Sequence, residues 1–435
     1  MKIQEVTLKN GLRVILIDTN AFPTLTTLLL VGAGSRYENE KNNGIAHFFE
    51  HMAFKGSKKY QNSFIISSTI EGLGGMFNAF TSKDHTGYWI KATNEHFTTV
   101  VDVLSDMVLH PLLIPDEINR EKGVIVEEIN LYEDTPYRRV GDYFENLLYR
   151  GNPLGYDIAG SRQTVNAFTR ETFTDYIGKL YHPKNAVLVV AGGLNMVGNG
   201  RTAHNYLQII EEKFGGWNDG KKNSFDPVRE SQTEPQALIK NKKTEQAHFC
   251  LGFRAFSYSD KRKYVLSVLS TILGGGMSSR LFMQVRERRG LCYYISTGRE
   301  QYNDVGNIVT QAGVTNNLDK VKEAIETILK EHKKIVKGDI KKEEMAKAKE
   351  LLKGRLLLSL EDSSSVASFF GTKKLLENEL ETPEEVIVAL EKVNIEEVTA
   401  LAAELFRPET LNFAIVGPFE QKDLHKIITD TPGLL

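Results

Sequence analysis

Cysteine is scarce: Cys250 and Cys292 are the only two in 435 residues, and they form no CxxC pair. Neither a disulfide framework nor a thiolate zinc site is therefore expected, and a reducing cytoplasm is the simplest compartment. A surplus of one charge is also missing, since 54 Lys+Arg stand against 56 Asp+Glu for a formal net charge of −2. Without a basic excess to neutralise phosphates, nucleic acid is not expected as a partner. No run reaches the roughly 18 unbroken apolar residues that a membrane span needs. The opening stretch Met1-Lys2-Ile3-Gln4-Glu5-Val6 has no apolar core like that of a signal peptide. The nearest candidate span, Thr24 to Val31, is short, β-branched and Leu-rich, and reads as a buried strand. No membrane partner is expected.

What is present is globular. A hydrophobic share of 41% and a charged share of 25% can build a sizeable core, and the length calls for two or more domains. Asn10-Gly11 between two strand-like runs signals a hairpin. A strand to Val31 follows, then an apolar helix through Ile45 to Phe54, strands at Met76 to Thr81 and Gly87 to Ala92, and helices at Phe97 to Leu109 and about Pro115 to Tyr132. Strand Ala186 to Val190 and a helix around Tyr206 to Phe214 close the first half. Composition then turns to Gly, Asn, Asp, Lys, Ser and Pro without apolar periodicity. The expected boundaries are a domain at 1–220, a linker at 221–236 and a second domain at 237–435.

The second half repeats the order of the first. Strand Ala247 to Phe253 leads into helix Tyr264 to Leu273. Strand Ile308 to Ala312 and helix Leu318 to Val336 resemble Tyr88 to Ala92 and its following helix. The helix ending Leu360-Glu361-Asp362 resembles the one ending Tyr132-Glu133-Asp134. A duplicated α+β unit is expected. The duplication isolates one polar feature: His47, Glu50 and His51 have Ser267, Val268 and Leu269 in their place in the second half. Function is sought where a structural pattern breaks.

His47 and His51 lie four residues apart, so on a helix both imidazoles leave the same face one turn apart. Two neutral ring nitrogens can then reach one tetrahedral zinc. Glu50, on the same side, is placed to take a proton from a water activated by that metal. The order HxxEH inverts the commoner HExxH motif. A catalytic zinc site needs a third protein ligand, and helix Arg120 to Ile129 offers carboxylates. Glu121 and Glu128, two turns apart, share a face with Val124 and Ile125 between them, while Glu127 points elsewhere. A carboxylate pair on an apolar side is costly unless paired or metal-bound. Glu128 as ligand and Glu121 as the partner orienting the site fit that constraint; a solvated acidic face is the other reading.

The sequence at this point resembles the pitrilysin, insulin-degrading enzyme and mitochondrial processing peptidase family over nearly its whole length. The shared segments are Lys9-Asn10-Gly11-Leu12-Arg13-Val14, Gly44-Ile45-Ala46-His47-Phe48-Phe49-Glu50-His51-Met52, and Asn78-Ala79-Phe80-Thr81 followed by Thr86 and Tyr88. Glu128 falls 77 positions after His51, matching the family's distal glutamate, whereas Glu127 would suit a shorter-spaced variant. The run Glu121-Lys122-Gly123-Val124-Ile125-Val126 favours Glu128. In the second half, Gly274-Gly275-Gly276-Met277-Ser278-Ser279-Arg280-Leu281-Phe282 precedes Val285-Arg286-Glu287-Arg288-Arg289-Gly290-Leu291-Cys292-Tyr293. The resemblance gives Arg286 and Tyr293 a role in holding the substrate carbonyl and stabilising the developing oxyanion. Without it, Arg280, Arg286, Arg288 and Arg289 would read as a solvated basic face.

The resemblance implies two similar α+β domains, each a mostly antiparallel sheet flanked by helices. It implies a zinc endopeptidase with one Zn2+ per chain on His47, His51 and Glu128 and with Glu50 as general base. Extended peptide substrates would add to the sheet edge at Asn78, Ala79, Phe80 and Thr81. Larger relatives close two such halves into a clamshell, so this chain is expected to form a homodimer, or else a heterodimer with an inactive paralogue. Arg286 and Tyr293 would then come from the partner subunit. The rival expectation is a non-catalytic assembly subunit of the same fold. His85, His96, His110, His182, His204, His248, His332 and His425 lack ligand spacing and read as surface or locally bonded, and Lys320 to Lys353 as the wet side of amphipathic helices.

Overall fold

The structure is a computed structural model that describes residues 1–194, 202–220, 224–420 and 422. Residues 221–223 of the expected linker, and His425, lie outside these. The described residues gather into two compact units. The first takes Met1–Ile129, Tyr156–Asp226 and Leu358–Glu381; the second takes Asn130–Gly155, Pro227–Leu357 and the chain from Thr382.

The first unit is built on six strands: β1 (Lys2–Thr7), β2 (Arg13–Asp18), β3 (Thr24–Val31), β4 (Met76–Thr81), β5 (Thr86–Thr93) and β6 (Ala186–Gly192), in the order β1-β2-β6-β3-β5-β4. Only β2 and β6 run parallel. The Asn10-Gly11 hairpin forms as expected: Gly11 takes φ +92°, and Asn10 Oδ1 accepts from Leu12 N at 3.1 Å. The inner strands are buried on both faces, which is why they read as unbroken apolar runs. Val14, Leu16, Leu29, Val31, Leu188 and Val190 face one core, where helices Ile45–Ala53, Phe97–Leu109 and Ala203–Phe214 pack. Their neighbours Ile15, Ile17, Leu28, Leu30, Val187 and Val189 face a second core, closed by Val366, Ala367 and Phe370 of helix Ser363–Leu376. A Cβ on Gly371 of that helix would stand 2.7 Å from Leu30 Cδ1 and 2.9 Å from Val189 Cγ2, so the close approach requires glycine.

The second unit has five strands, β7 (Gln236–Asn241), β8 (Gln246–Ala255), β9 (Cys292–Gln301), β10 (Gly306–Thr315) and β11 (Leu411–Gly417), in the order β7-β11-β8-β10-β9. This is the permutation β2-β6-β3-β5-β4 over again, with the single parallel pair in the same place. The topology matches the duplicated α+β fold expected from sequence. One sheet face carries the larger core. The other is covered by Val140, Phe144 and Leu148 of helix Pro136–Leu148, against Cys250, Ala414 and Val416. In each unit, therefore, one face of the sheet is covered by a helix drawn from the opposite half of the sequence.

His332 departs from its reading as a surface or locally bonded histidine. Helix Leu318–Val336 turns it into the core of the second unit, 2% exposed, with its ring stacked on Phe406 at 4.4 Å and edge-on to Phe253 at 5.7 Å. Burial pushes the imidazole down to about 3, so it sits there neutral.

Candidate metal centre

Helix Ile45–Ala53 buries Ile45, Ala46, Phe48, Phe49, Met52 and Ala53, and this apolar majority fixes its rotation about its own axis. Its entry turns on Gly44 at φ +97°, where a Cβ would meet the Ala159 carbonyl oxygen at 2.7 Å. The N-terminus is capped from further back. Buried Glu38 accepts from Gly44 N and Ala46 N at 2.8 Å each and from Asn43 Nδ2 at 2.9 Å. A carboxylate there complements the exposed amides and the positive end of the helix dipole. Burial pushes the Glu38 carboxyl up to about 8, against the pull of those three hydrogen bonds. Sequence reasoning missed Glu38, because its spacing from the helix start is not that of a capping box.

With that face pinned, His47 and His51 emerge together, ring centroids 4.8 Å apart. Glu128 comes to them from helix Pro115–Glu133: its Oε2 lies 3.5 Å from His47 Nε2 and 3.6 Å from His51 Nε2. One ligand atom from each of the three residues lies within 4.8 Å of the others. The far nitrogen of His51, Nδ1, bonds Glu121 Oε1 at 2.9 Å, and Glu121 Oε2 takes Lys55 Nζ at 2.5 Å. Donation from Nδ1 leaves the Nε2 lone pair of His51 facing the cluster. Burial pulls the His51 pKa down, but the bond and charge of Glu121, with Glu128 and Glu50, outweigh it and raise the value. Burial raises Glu121, and its bonds to His51 and Lys55 outweigh that and hold it below the ordinary range. The face between the two glutamates is less apolar than the sequence suggests: Ile125 is buried, but Val124 is half exposed. Glu127 points to solvent.

Glu50 stands beside this group with its Oε2 accepting from Thr81 Oγ1 at 2.6 Å. Burial pushes its carboxyl up, the Thr81 bond opposing. Thr81 closes β4, which among the described residues pairs only with β5 and so ends the sheet, as an edge suited to adding a strand requires. Within that edge, Ala79 N donates to Asn78 Oδ1 at 2.9 Å, Phe80 packs edge-on to His85, and Phe77 packs on Phe54 with ring centroids 5.5 Å apart.

The second unit holds the other expected residues. Arg286 sits in a π-helical turn, Phe282–Glu287, with its guanidinium 4.6 Å from the Phe282 ring and 5.9 Å from the Tyr293 ring. Tyr293, at the start of edge strand β9, is 75% exposed. Arg280 is not part of a solvated basic face: its largely buried guanidinium forks onto Glu344 at 2.8 and 2.7 Å.

The donor set of the first unit, two imidazole nitrogens and one carboxylate oxygen, is that of a three-ligand zinc site with a fourth position left open. The carboxylates of Glu50, Glu121 and Glu128 outnumber the one nearby lysine, so a divalent cation would balance them. The residues present fit zinc. A duplicated α+β scaffold with an inverted HxxEH helix and a distal glutamate defines a zinc-peptidase class of protein.

Comparison with known proteins agrees. The family described as Insulinase (Peptidase family M16) matches residues 13–162, and the Peptidase M16 inactive domain matches residues 167–352. A protein of Bacillus subtilis called uncharacterized zinc protease YmxG is 35% identical, across 96% of this chain and 98% of its own. An uncharacterized zinc protease of Rickettsia bellii is 30% identical, across 94% and 96%. The chain belongs to peptidase family M16. Among solved structures, a protease from Helicobacter pylori superposes with a TM-score of 0.88 over 96% of this chain and 100% of its own, at 24% identity, which speaks for the fold. Among the described residues no helix is long and apolar enough to cross a membrane.

Proposed function

We propose that this chain is a zinc endopeptidase that hydrolyses extended peptides or unfolded segments in the cytoplasm. The observation that carries the reading is the convergence of His47 Nε2, His51 Nε2 and a Glu128 oxygen, with the Glu50 carboxylate one position before His51 on the same helix. His47, His51 and Glu128 would hold one zinc per chain, with Glu121 orienting His51. Bound there, zinc supplies the Lewis-acid polarisation that allows a water to be deprotonated near neutral pH. Glu50 takes that proton and returns it to the leaving amine. The peptide lies along the β4 edge at Asn78 to Thr81, held chiefly by main-chain bonds that make little demand on sequence. Arg286 and Tyr293 donate to the substrate carbonyl, from the partner copy in a homodimer that closes over the peptide. The proximity of these two side chains to each other supports their acting as a pair.

The test uses purified full-length protein, zinc analysis and an internally quenched peptide library. Glu50→Gln should retain zinc and lose cleavage. Full turnover by that variant would end the reading, and zinc retention with no cleavage by the native chain would favour an assembly role instead.

A further inference from the structure

The hydroxyl of Thr81 has one proton to give, and its direction follows from its surroundings. Thr86, its partner across the β4–β5 pair, is fully buried and spends its own proton on the Ala33 carbonyl at 2.6 Å. A carboxylate can only accept, so the Thr81 proton goes to Glu50 Oε2 at 2.6 Å. This bond joins two elements with different tasks: the helix that carries His47 and His51, and the edge strand along which a peptide would lie. It occupies one of the two carboxylate oxygens.

We propose that Thr81 is a positioning residue, whose hydroxyl locks the Glu50 carboxylate into the rotamer that aims its free oxygen at the attacking water and ties that rotamer to the peptide-docking strand. The inference rests on the reading of Glu50 as general base. It assigns Thr81 a side-chain task in addition to any main-chain contact with substrate. Its hydroxyl acts through Glu50. The strand supplies the rigidity, because Thr81 is held by its pairing with Thr86 and by the turn in which Ser82 N donates to His85 O at 2.8 Å.

The experiment compares full-length native protein with Thr81→Val, Thr81→Ser and Glu50→Gln, using the most rapidly cleaved member of a quenched-peptide library. Valine keeps the β-branched shape of threonine and removes the hydroxyl, with its donation to Glu50 and its long contact with Thr86 Oγ1 at 3.5 Å. Thr81→Val should retain zinc and KM while kcat falls about 10- to 100-fold, the scale of losing a partner that orients a functional group. Thr81→Ser, which restores the donor, should recover most of the turnover. A second readout needs no activity: in metal-free protein, the melting shifts of Thr81→Val and of Glu50→Ala, which removes the acceptor that glutamine would keep, should be less than additive in the double variant, as for partners in one bond. An unchanged kcat, or a raised KM with kcat intact, would overturn the proposal, as would additive melting shifts. If Glu50→Gln itself turns over normally, or the native chain cleaves nothing, the underlying reading fails and the proposal goes with it. With Glu50→Gln inactive, failure in the Thr81 arms bears on the proposal alone.

Discussion

Phe370→Ala tests how the first unit is held together. Phe370 is 0% exposed and is among the largest side chains packed on the face of Ile15, Ile17, Leu28, Leu30, Val187 and Val189. Truncation removes the aromatic ring and leaves a cavity walled by a sheet that cannot collapse onto it. A loss of about 3–5 kcal/mol is expected for such a site. At about 2–4 °C per kcal/mol for a body of this size class, the unit should melt on the order of 10 °C earlier. The assay is unusually clean, because both tryptophans, Trp89 and Trp217, belong to the first unit. Tryptophan fluorescence then follows that unit, while far-ultraviolet circular dichroism follows the whole chain. Phe144→Ala is the matching change in the second unit, where Phe144 is 2% exposed on helix Pro136–Leu148. It should shift the dichroism melt and move the fluorescence melt less. A fluorescence melt for Phe370→Ala within about 2 °C of native would refute the reasoning, since a helix that closes a core cannot be truncated at no cost.

Other predictions concern the site and the buried histidine. Glu121→Gln should weaken zinc binding about 10- to 100-fold in competition with a chelator, by loosening His51; Glu127→Gln, on the solvent side, should leave the affinity as it is. Removing zinc with a chelator should abolish peptide cleavage, and adding zinc back should restore it. His332 binds its proton at about 3 in the folded chain against an ordinary 6.5. Between those values the unfolded chain holds a proton that the folded chain does not, so stability falls as pH drops below about 6.5, by up to about 1.4 kcal/mol per unit. His332→Phe should flatten that slope, measured by denaturant unfolding between pH 7 and 5, roughly the upper part of that window; an unchanged slope would count against a neutral buried imidazole.

Much of this protein is local and therefore legible in the chain. Hairpin chemistry at Asn10-Gly11, apolar strands such as β3 and β6, and the period of helix Ile45–Ala53 depend on neighbours in sequence, and each appears where the residues place it. So does the pairing of His47 with His51, because four residues make one turn wherever the helix sits. Spacing offered Glu128 as a ligand but left a solvated acidic face open, and resemblance chose between them; its distance to two imidazoles is a property of two packed helices. β9 was missed although Tyr293, Tyr294, Ile295 and Thr297 carry strand propensity, because its place at the sheet edge and the π-helical turn before it depend on the sheet and core it joins.

The sequence by itself determined the elements, the repeat and the chemistry of one helix face, since these rest on backbone preference and hydrophobic period acting over a few residues. Tertiary structure decided the rest: which sheet each of the helices Pro136–Leu148 and Ser363–Leu376 covers, how Glu38 reaches the amides of Gly44 and Ala46, why His332 is neutral, and where the Thr81 hydroxyl points. Those outcomes depend on contacts between residues far apart in the chain. Their energies come from burial and from single hydrogen bonds, whose partners no local pattern records.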